Sequence, residues 1–397
     1  MESNKSKDKV FGLKRNVFYL GIVSLFNDFS NEMVQSVVPV FLGLLLGGQA
    51  ALAIGVIEGV ADALSSFMKI LSGAWSDKVG RRKPFAVVGY TLSVAVRPLW
   101  MFVTSFAGAM GIRAADRFGK GLRDAPRDAL VASSVEEQEL GKSFGYQRAM
   151  DAFGGLLGPL VAVLAFPLLE FDFKKLFFLA FILGLPAIFS FLAVREVRTA
   201  PPTEYGKFMR ENMFRTHKHF TLMIATIFVF GLGTLPVALL LFRAFELGFN
   251  VTSVPFLYLI YGLTFTLASI PLGKLSDKIG MVRVITLGFI FAISAYLLLA
   301  FTNTFVWLFA GLVFFGLYSA STDGVERALT AKLVGHELLG AGEGVLHAAV
   351  GISALFAGSI GGFLWFKFGH AAAFLYAITF AVIGLGMLLY ISKKHRI

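Results

Sequence analysis

The 397-residue sequence contains no cysteine, which excludes disulfides, thiolate metal sites and cysteine nucleophiles together. Charge is scarce as well. Asp, Glu, Lys and Arg make up 15% of the chain against 56% hydrophobic residues, and the mean hydropathy is +0.74. A surface of that composition cannot be solvated by water alone, so the chain belongs in lipid. His347 has no second histidine at ligand spacing, so neither a metal site nor a cofactor is expected. No nucleotide-binding loop or nucleophile motif stands in a suitable context, so no enzyme is expected either.

What the chain does contain is a succession of apolar runs. A spanning helix needs about 20 mostly apolar residues, and such runs occupy roughly 16–47, 51–73, 85–105, 107–131, 143–168, 172–194, 219–243, 251–273, 284–302, 304–331, 340–367 and 371–392. Twelve spans place both termini on one side. The net charge of +11 concentrates in the short loops of that side: Lys5 to Arg15, Lys78 to Lys83, Arg195 to Lys218, Lys274 to Arg283, and Lys393 to Arg396. This distribution reads as membrane topology and not as nucleic-acid binding, and the positive-inside rule makes both termini cytoplasmic in an inner membrane. The expected organisation is a cytoplasmic segment 1–15, a first bundle 16–196, a linker 197–218, a second bundle 219–392 and a tail 393–397.

The segment Gly73-Ala74-Trp75-Ser76-Asp77-Lys78-Val79-Gly80-Arg81-Arg82-Lys83-Pro84 recurs two hundred residues on as Gly273-Lys274-Leu275-Ser276-Asp277-Lys278-Ile279-Gly280-Met281-Val282-Arg283. The halves are therefore read as duplicated bundles. Over its whole length the chain resembles the major facilitator superfamily, whose signature between spans two and three is this Gly, Asp, Gly and basic pattern. The resemblance implies an all-α membrane protein of twelve transmembrane helices in two pseudo-symmetric six-helix bundles. It also implies a gate built from Gly73, Asp77, Gly80, Arg81 and Arg82, with Asp77 capping a helix and Arg81 pairing with Asp124 or Asp128, and a second copy at Gly273, Asp277 and Gly280. Asp323 and Arg327, near Glu343 and His347, are expected at the second half's inner gate. Arg117-Phe118-Gly119-Lys120-Gly121 resembles the family's span-four motif, with Lys120 in place of the usual Gln. Gly154, Gly158 and Pro159 resemble its antiporter motif, although Ala162 and Val163 replace the closing glycines. Both favour the drug/proton antiporter branch. Asn27 to Met33 and Arg117 to Leu130 resemble a bacterial group that largely lacks assigned substrates.

Charges inside spans are costly, by about 3 kcal/mol each at the bilayer centre, and so select candidates. Asp28, Asp62, Arg97 and Arg117 fall near mid-membrane, while Glu32, Glu58 and Arg113 lie nearer the outer face. Asp28 and Glu32 project from one helix face on successive turns, flanked by Asn27 and Asn31. Arginine partners keep such carboxylates ionised, and losing those partners is the physical basis of proton coupling. The other reading is a permanent ion-pair network. Two hundred residues on, Tyr258, Gly262 and Leu297 stand opposite Glu58, Asp62 and Arg97, so ion chemistry is expected in the first half and apolar shape in the second.

The function expected is a secondary transporter working by alternating access, as proton-coupled export of an amphipathic or anionic small molecule. Its expected partners are that substrate, protons and the bilayer, and a monomer is expected. The alternatives are a symporter or uniporter importing a sugar or organic anion, and a non-transporting membrane sensor.

Overall fold

The computed structural model describes residues 9–197, 218–335 and 338–395. The expected linker, and with it Lys5, Lys7, His217 and Arg396, lies outside or almost wholly outside these residues. A short hairpin pairs Lys9–Val10 with Leu13–Lys14, and thirteen α-helices follow among the described residues. The earlier ones are α1 Arg15–Leu46, α2 Ala50–Val79, α3 Lys83–Val96, α4 Phe106–Ser133, α5 Leu140–Leu168 and α6 Phe173–Ser190. The later ones are α7 Lys218–Gly231, α8 Val237–Glu246, α9 Ser253–Ile279, α10 Met281–Phe301, α11 Phe305–Val334, α12 Leu339–Phe368 and α13 His370–His395.

Nine helical stretches among the described residues are long and apolar enough to cross a membrane, and one of them, Arg15–Val79, carries both α1 and α2. The 28-residue α4 has the length of a span but is laden with charge. Helices α7 and α8 are two short pieces separated by the turn at 232–236, and read together they complete twelve passes. The break falls at Gly231-Leu232-Gly233-Thr234-Leu235-Pro236, where Pro236 precedes the first residue of α8 and cannot continue the ladder. Backbone groups freed inside a membrane protein need new partners. Tyr296 Oη accepts from the Leu235 N–H at 3.1 Å, and Tyr376 Oη donates to the Leu232 carbonyl at 2.7 Å.

The sequence repeat is also a structural one. Ser76 Oγ donates to Gly73 O at 3.1 Å and Ser276 Oγ to Gly273 O at 2.7 Å. The N–H of Gly80 reaches Ser76 O at 3.0 Å, and that of Gly280 reaches Ser276 O at 3.0 Å. Both terminating glycines have positive φ, 67° and 98°, a conformation that favours glycine and ends each helix.

By contact the chain divides into two compact units: described residues within Met1–Val37 and Phe67–Thr203, and described residues within Val38–Ser66 and Glu204–Ile397. In the second unit, the first half of α2 lies along α12 on a seam of small residues. A Cβ on Gly362 would stand 2.8 Å from Ala51 O, and one on Gly59 would stand 2.9 Å from Leu355 O, the close backbone approach that small residues permit between helices in membranes. The first unit's core includes Leu20, Val23, Ala86, Tyr90, Leu130 and Phe191. The second unit's core is aromatic, with Phe230 stacked on Phe289 at 3.6 Å and Tyr296 against Phe315 and Phe374.

Candidate functional site

Five of the expected pathway residues lie in the first unit on α1 and at the end of α3. Asn27 and Asn31 are buried, while Asp28 and Glu32 are half-buried. Each amide orients the acid beside it: Asn27 Nδ2 donates to Asp28 Oδ1 at 2.9 Å and Asn31 Nδ2 to Glu32 Oε1 at 2.8 Å. Asn27 Oδ1 in turn accepts from Arg97 Nη2 at 2.7 Å. Arg97 is 2% exposed, and among the described residues its Nε and Nη1 have no hydrogen-bond partner. The guanidinium fits because residue 184 is glycine, where a Cβ would stand 2.6 Å from Arg97 Nη1. Behind this face α5 approaches α1 backbone to backbone. A Cβ on Gly158 would stand 2.6 Å from Met33 N, and one on Gly154 would stand 3.0 Å from Phe29 N. The antiporter-like glycines, with buried Pro159, therefore press the Asp28–Glu32 turn against a rigid neighbour.

Helix α4 carries most of the remaining charge. Arg113 pairs with Asp116 at 3.4 Å, and Arg117 follows, half-buried. Lys120, also half-buried, makes neither a hydrogen bond nor an ion pair among the described residues. Arg123 donates to Ser93 Oγ at 2.6 Å and lies over the Tyr90 ring at 4.4 Å. Arg127 gathers Asp128 at 2.8 Å, Asp151 at 3.4 Å, Ser24 Oγ at 3.1 Å and Tyr90 Oη at 3.4 Å, while Gln147 donates to Ser24 Oγ and to Asp151. Sequence reasoning missed Asp116, Arg123, Arg127, Gln147 and Asp151. Their signal was available, because charges at 113, 116, 117, 120, 123, 124, 127 and 128 recur at helical spacing and form a polar stripe on α4.

The loop between α2 and α3 is built differently from the expectation. Asp77 caps no helix but pairs with Arg82 at 3.1 Å. Arg82 also donates to Ala129 O at 3.2 Å, whereas Arg81 is exposed. Asp124 pairs with Lys69 at 3.1 Å and Asp128 with Arg127. The reason is geometric: the chain reverses at Gly80, and Arg82, at the start of α3, is the arginine turned inward. Glu196, also unforeseen, accepts from the backbone N–H groups of Arg82 at 3.0 Å and Lys83 at 3.2 Å. A carboxylate there is favoured by the helix dipole.

Glu58 and Asp62 belong to the second unit, Glu58 buried and Asp62 half-buried. In the second copy of the loop Asp277 is exposed and makes no side-chain bond among the described residues, although Gly273 and Gly280 keep their backbone roles. Asp323 pairs with Arg327 at 2.8 Å along α11, and Glu343 with His347 at 3.7 Å along α12. Tyr258 and Tyr261 are stacked at 5.9 Å, and Tyr261 Oη meets Ser319 Oγ at 3.3 Å. No cluster of three or more metal-ligating side chains occurs among the described residues.

The comparisons agree with this architecture. The family model described as Major Facilitator Superfamily matches residues 20–258 and 221–396. The MFS-type transporter MJ1317 of Methanocaldococcus jannaschii is 32% identical over 402 residues, covering 98% of each chain. The multidrug resistance protein MdtH of Cronobacter sakazakii is 30% identical over 135 residues, 32% of this chain and 31% of that one. Among solved structures, the nucleoside transporter NupG superimposes with a TM-score of 0.79 at 13% identity, covering 95% of this chain and 99% of that one, which speaks to the fold alone. With a charged stripe inside a helical membrane fold and matching family signatures in both halves, the chain belongs to the Major Facilitator Superfamily and is a multi-pass membrane transporter, not an enzyme.

Proposed function

We propose that this transporter is a proton-coupled antiporter of the inner membrane that exports an amphipathic or anionic small molecule by alternating access, as a monomer with both termini cytoplasmic. The observation that carries this reading is Asp28. It is half-buried within a span, it accepts one hydrogen bond, from Asn27, and among the described residues no cation stands within ion-pair distance of it. By contrast Asp116, Asp124, Asp128 and Asp151 are each held by a basic side chain. Those four are structural charges in this reading, and Asp28 is the acid left to exchange a proton. Arg117 and Lys120 on α4 supply positive charge for an anionic group on the substrate. The loop around Asp77 and Arg82, latched by Glu196, serves as the cytoplasmic gate, and the two bundles part at the linker.

Export is favoured by the antiporter-like glycines behind α1 and by the likeness to a multidrug resistance protein. The energetics suffice, since one proton crossing about 100 mV releases about 2.3 kcal/mol, enough for a roughly fiftyfold gradient. The test is reconstitution in liposomes with an internal pH dye and a panel of candidate compounds. Wild type is expected to show substrate-driven proton movement, Asp28→Asn to lose it, and Arg117→Ala to weaken substrate dependence. Substrate flux without proton movement, or flux unchanged in both variants, would replace antiport by uniport.

A further inference from the structure

A second place in the molecule has the form of a ligand site, and it shares no residue with the charged set on α1, α3 and α4. A hollow of about 340 Å³ opens in the second unit where α1, α8, α12 and α13 have their ends, away from the basic loops. Its volume lies within the range of small-molecule sites, about 300–1,000 Å³. One wall is aromatic, formed by Phe242, Phe245, Trp365 and Phe366. Phe242 lies 5.7 Å from Phe245 and 5.9 Å from Trp365, centroid to centroid. The other wall is nearly bare backbone: Gly47, Gly48 and Gly369 line it, and a Cβ on any of them would meet nothing within 4 Å.

One carboxylate, Glu246, looks into this space among the described residues, and it is held in place. Glu246 Oε1 accepts from Trp365 Nε1 at 2.8 Å, and Oε2 lies 3.4 Å from Arg243 Nη1. Arg243 is 5% exposed, is tied to Asn303 Oδ1 at 2.7 Å, and does not line the hollow. The arginine therefore anchors the carboxylate from behind while the acid faces the cavity. Aromatic faces and a fixed carboxylate, with His370 beside Trp365 as the other ionisable side chain in the lining, are the chemistry that recognises an organic ammonium group, by attraction to the ring quadrupoles and to the negative charge.

We propose that this hollow is a binding site for an organic ammonium ion. The site requires nothing of the transport reading, and its test is a binding measurement. Benzyltrimethylammonium is titrated calorimetrically into the full-length protein in lipid nanodiscs, alongside its uncharged isostere 2,2-dimethylpropylbenzene. Wild type is expected to bind the cation saturably and at least about tenfold more tightly than the isostere, and Glu246→Gln to weaken the cation by about tenfold. Because Glu246→Gln also removes the charged partner of buried Arg243, Gly48→Leu is the companion variant. It fills open space, leaves the polar pair intact, and is expected to abolish binding while melting like wild type. Binding of ammonium headgroups from lipid instead of solution would appear as weaker cation binding in phosphatidylethanolamine discs than in phosphatidylglycerol discs, beyond the difference that protein-free discs show from lipid charge alone, and would support the same chemistry. The proposal falls if wild type shows no saturable binding in either lipid, if the isostere binds as tightly as the cation, or if folded Gly48→Leu binds as wild type does.

Discussion

The first unit carries a lattice of charge and hydroxyl groups beside its apolar core, whereas the centre of the second unit is joined by stacked rings. Around Arg127, residues from α1, α3, α4 and α5 meet as Ser24, Tyr90, Asp128 and Asp151. In the second unit Phe230, Phe289, Tyr296, Phe315 and Phe374 do the equivalent joining. Two halves that share a fold and a loop motif thus use different interactions to hold their helices. A lattice of ion pairs has discrete alternative pairings and responds to protons and anions, whereas stacked rings respond to shape. Coupling chemistry is therefore sought in the first unit and the fit of apolar cargo in the second.

The largest effect is expected where the charge lattice is cut at its centre. Arg127→Ala takes the buried cation away from Asp128 and leaves Asp151 only the exposed Arg148, at 3.8 Å, and should cost about 3 kcal/mol, read as a fall in melting temperature in detergent. Removing the stranded acid as well, in Arg127→Met/Asp151→Leu, should recover part of that loss, because apolar packing can replace a buried pair. In the second unit the corresponding cut is Phe289→Ala, expected to cost about 3 kcal/mol, with Phe289→Leu under about 1.5. If the double variant in the first unit recovers nothing while Phe289→Leu costs as much as Phe289→Ala, the contrast between the two kinds of interior is wrong. A smaller effect, about 1 kcal/mol, is expected from Tyr296→Phe, which deprives the buried Leu235 N–H of its acceptor at the break between α7 and α8.

The helices were legible because each apolar run meets the length a bilayer demands. The acid and amide turn from Asn27 to Glu32 was legible too, since four-residue spacing fixes a shared face. The partners were not. Depth along a single span ranks charges by cost but does not say which helix faces them, so Arg97 was found while Asn27 as its acceptor was not, and the meeting of Arg127 on α4 with Asp151, well inside α5, was missed. Arg81 and Arg82 are adjacent in sequence, and only the reversal at Gly80 decides which one turns inward.

The smallest predicted effects concern that loop and its repeat, where the comparison is sharpest because the backbone is the same. Gly80 and Gly280 close their helices with the same bond to Ser76 and Ser276, so any difference between Asp77 and Asp277 comes from side chains. Asp77 has Arg82 at 3.1 Å, each of the pair mostly shielded from solvent, whereas Met281 and Val282 stand where the arginines would be and Asp277 is exposed. Asp77→Asn should cost about 0.5–1 kcal/mol and Asp277→Asn no more than about 0.5. Arg82→Ala should exceed Arg81→Ala for the same reason, since only Arg82 also reaches a carbonyl on α4. Melting curves for the four single variants decide the matter. Equal shifts for Asp77→Asn and Asp277→Asn would mean that the shared backbone motif, and not the ion pair, sets the stability of both loops.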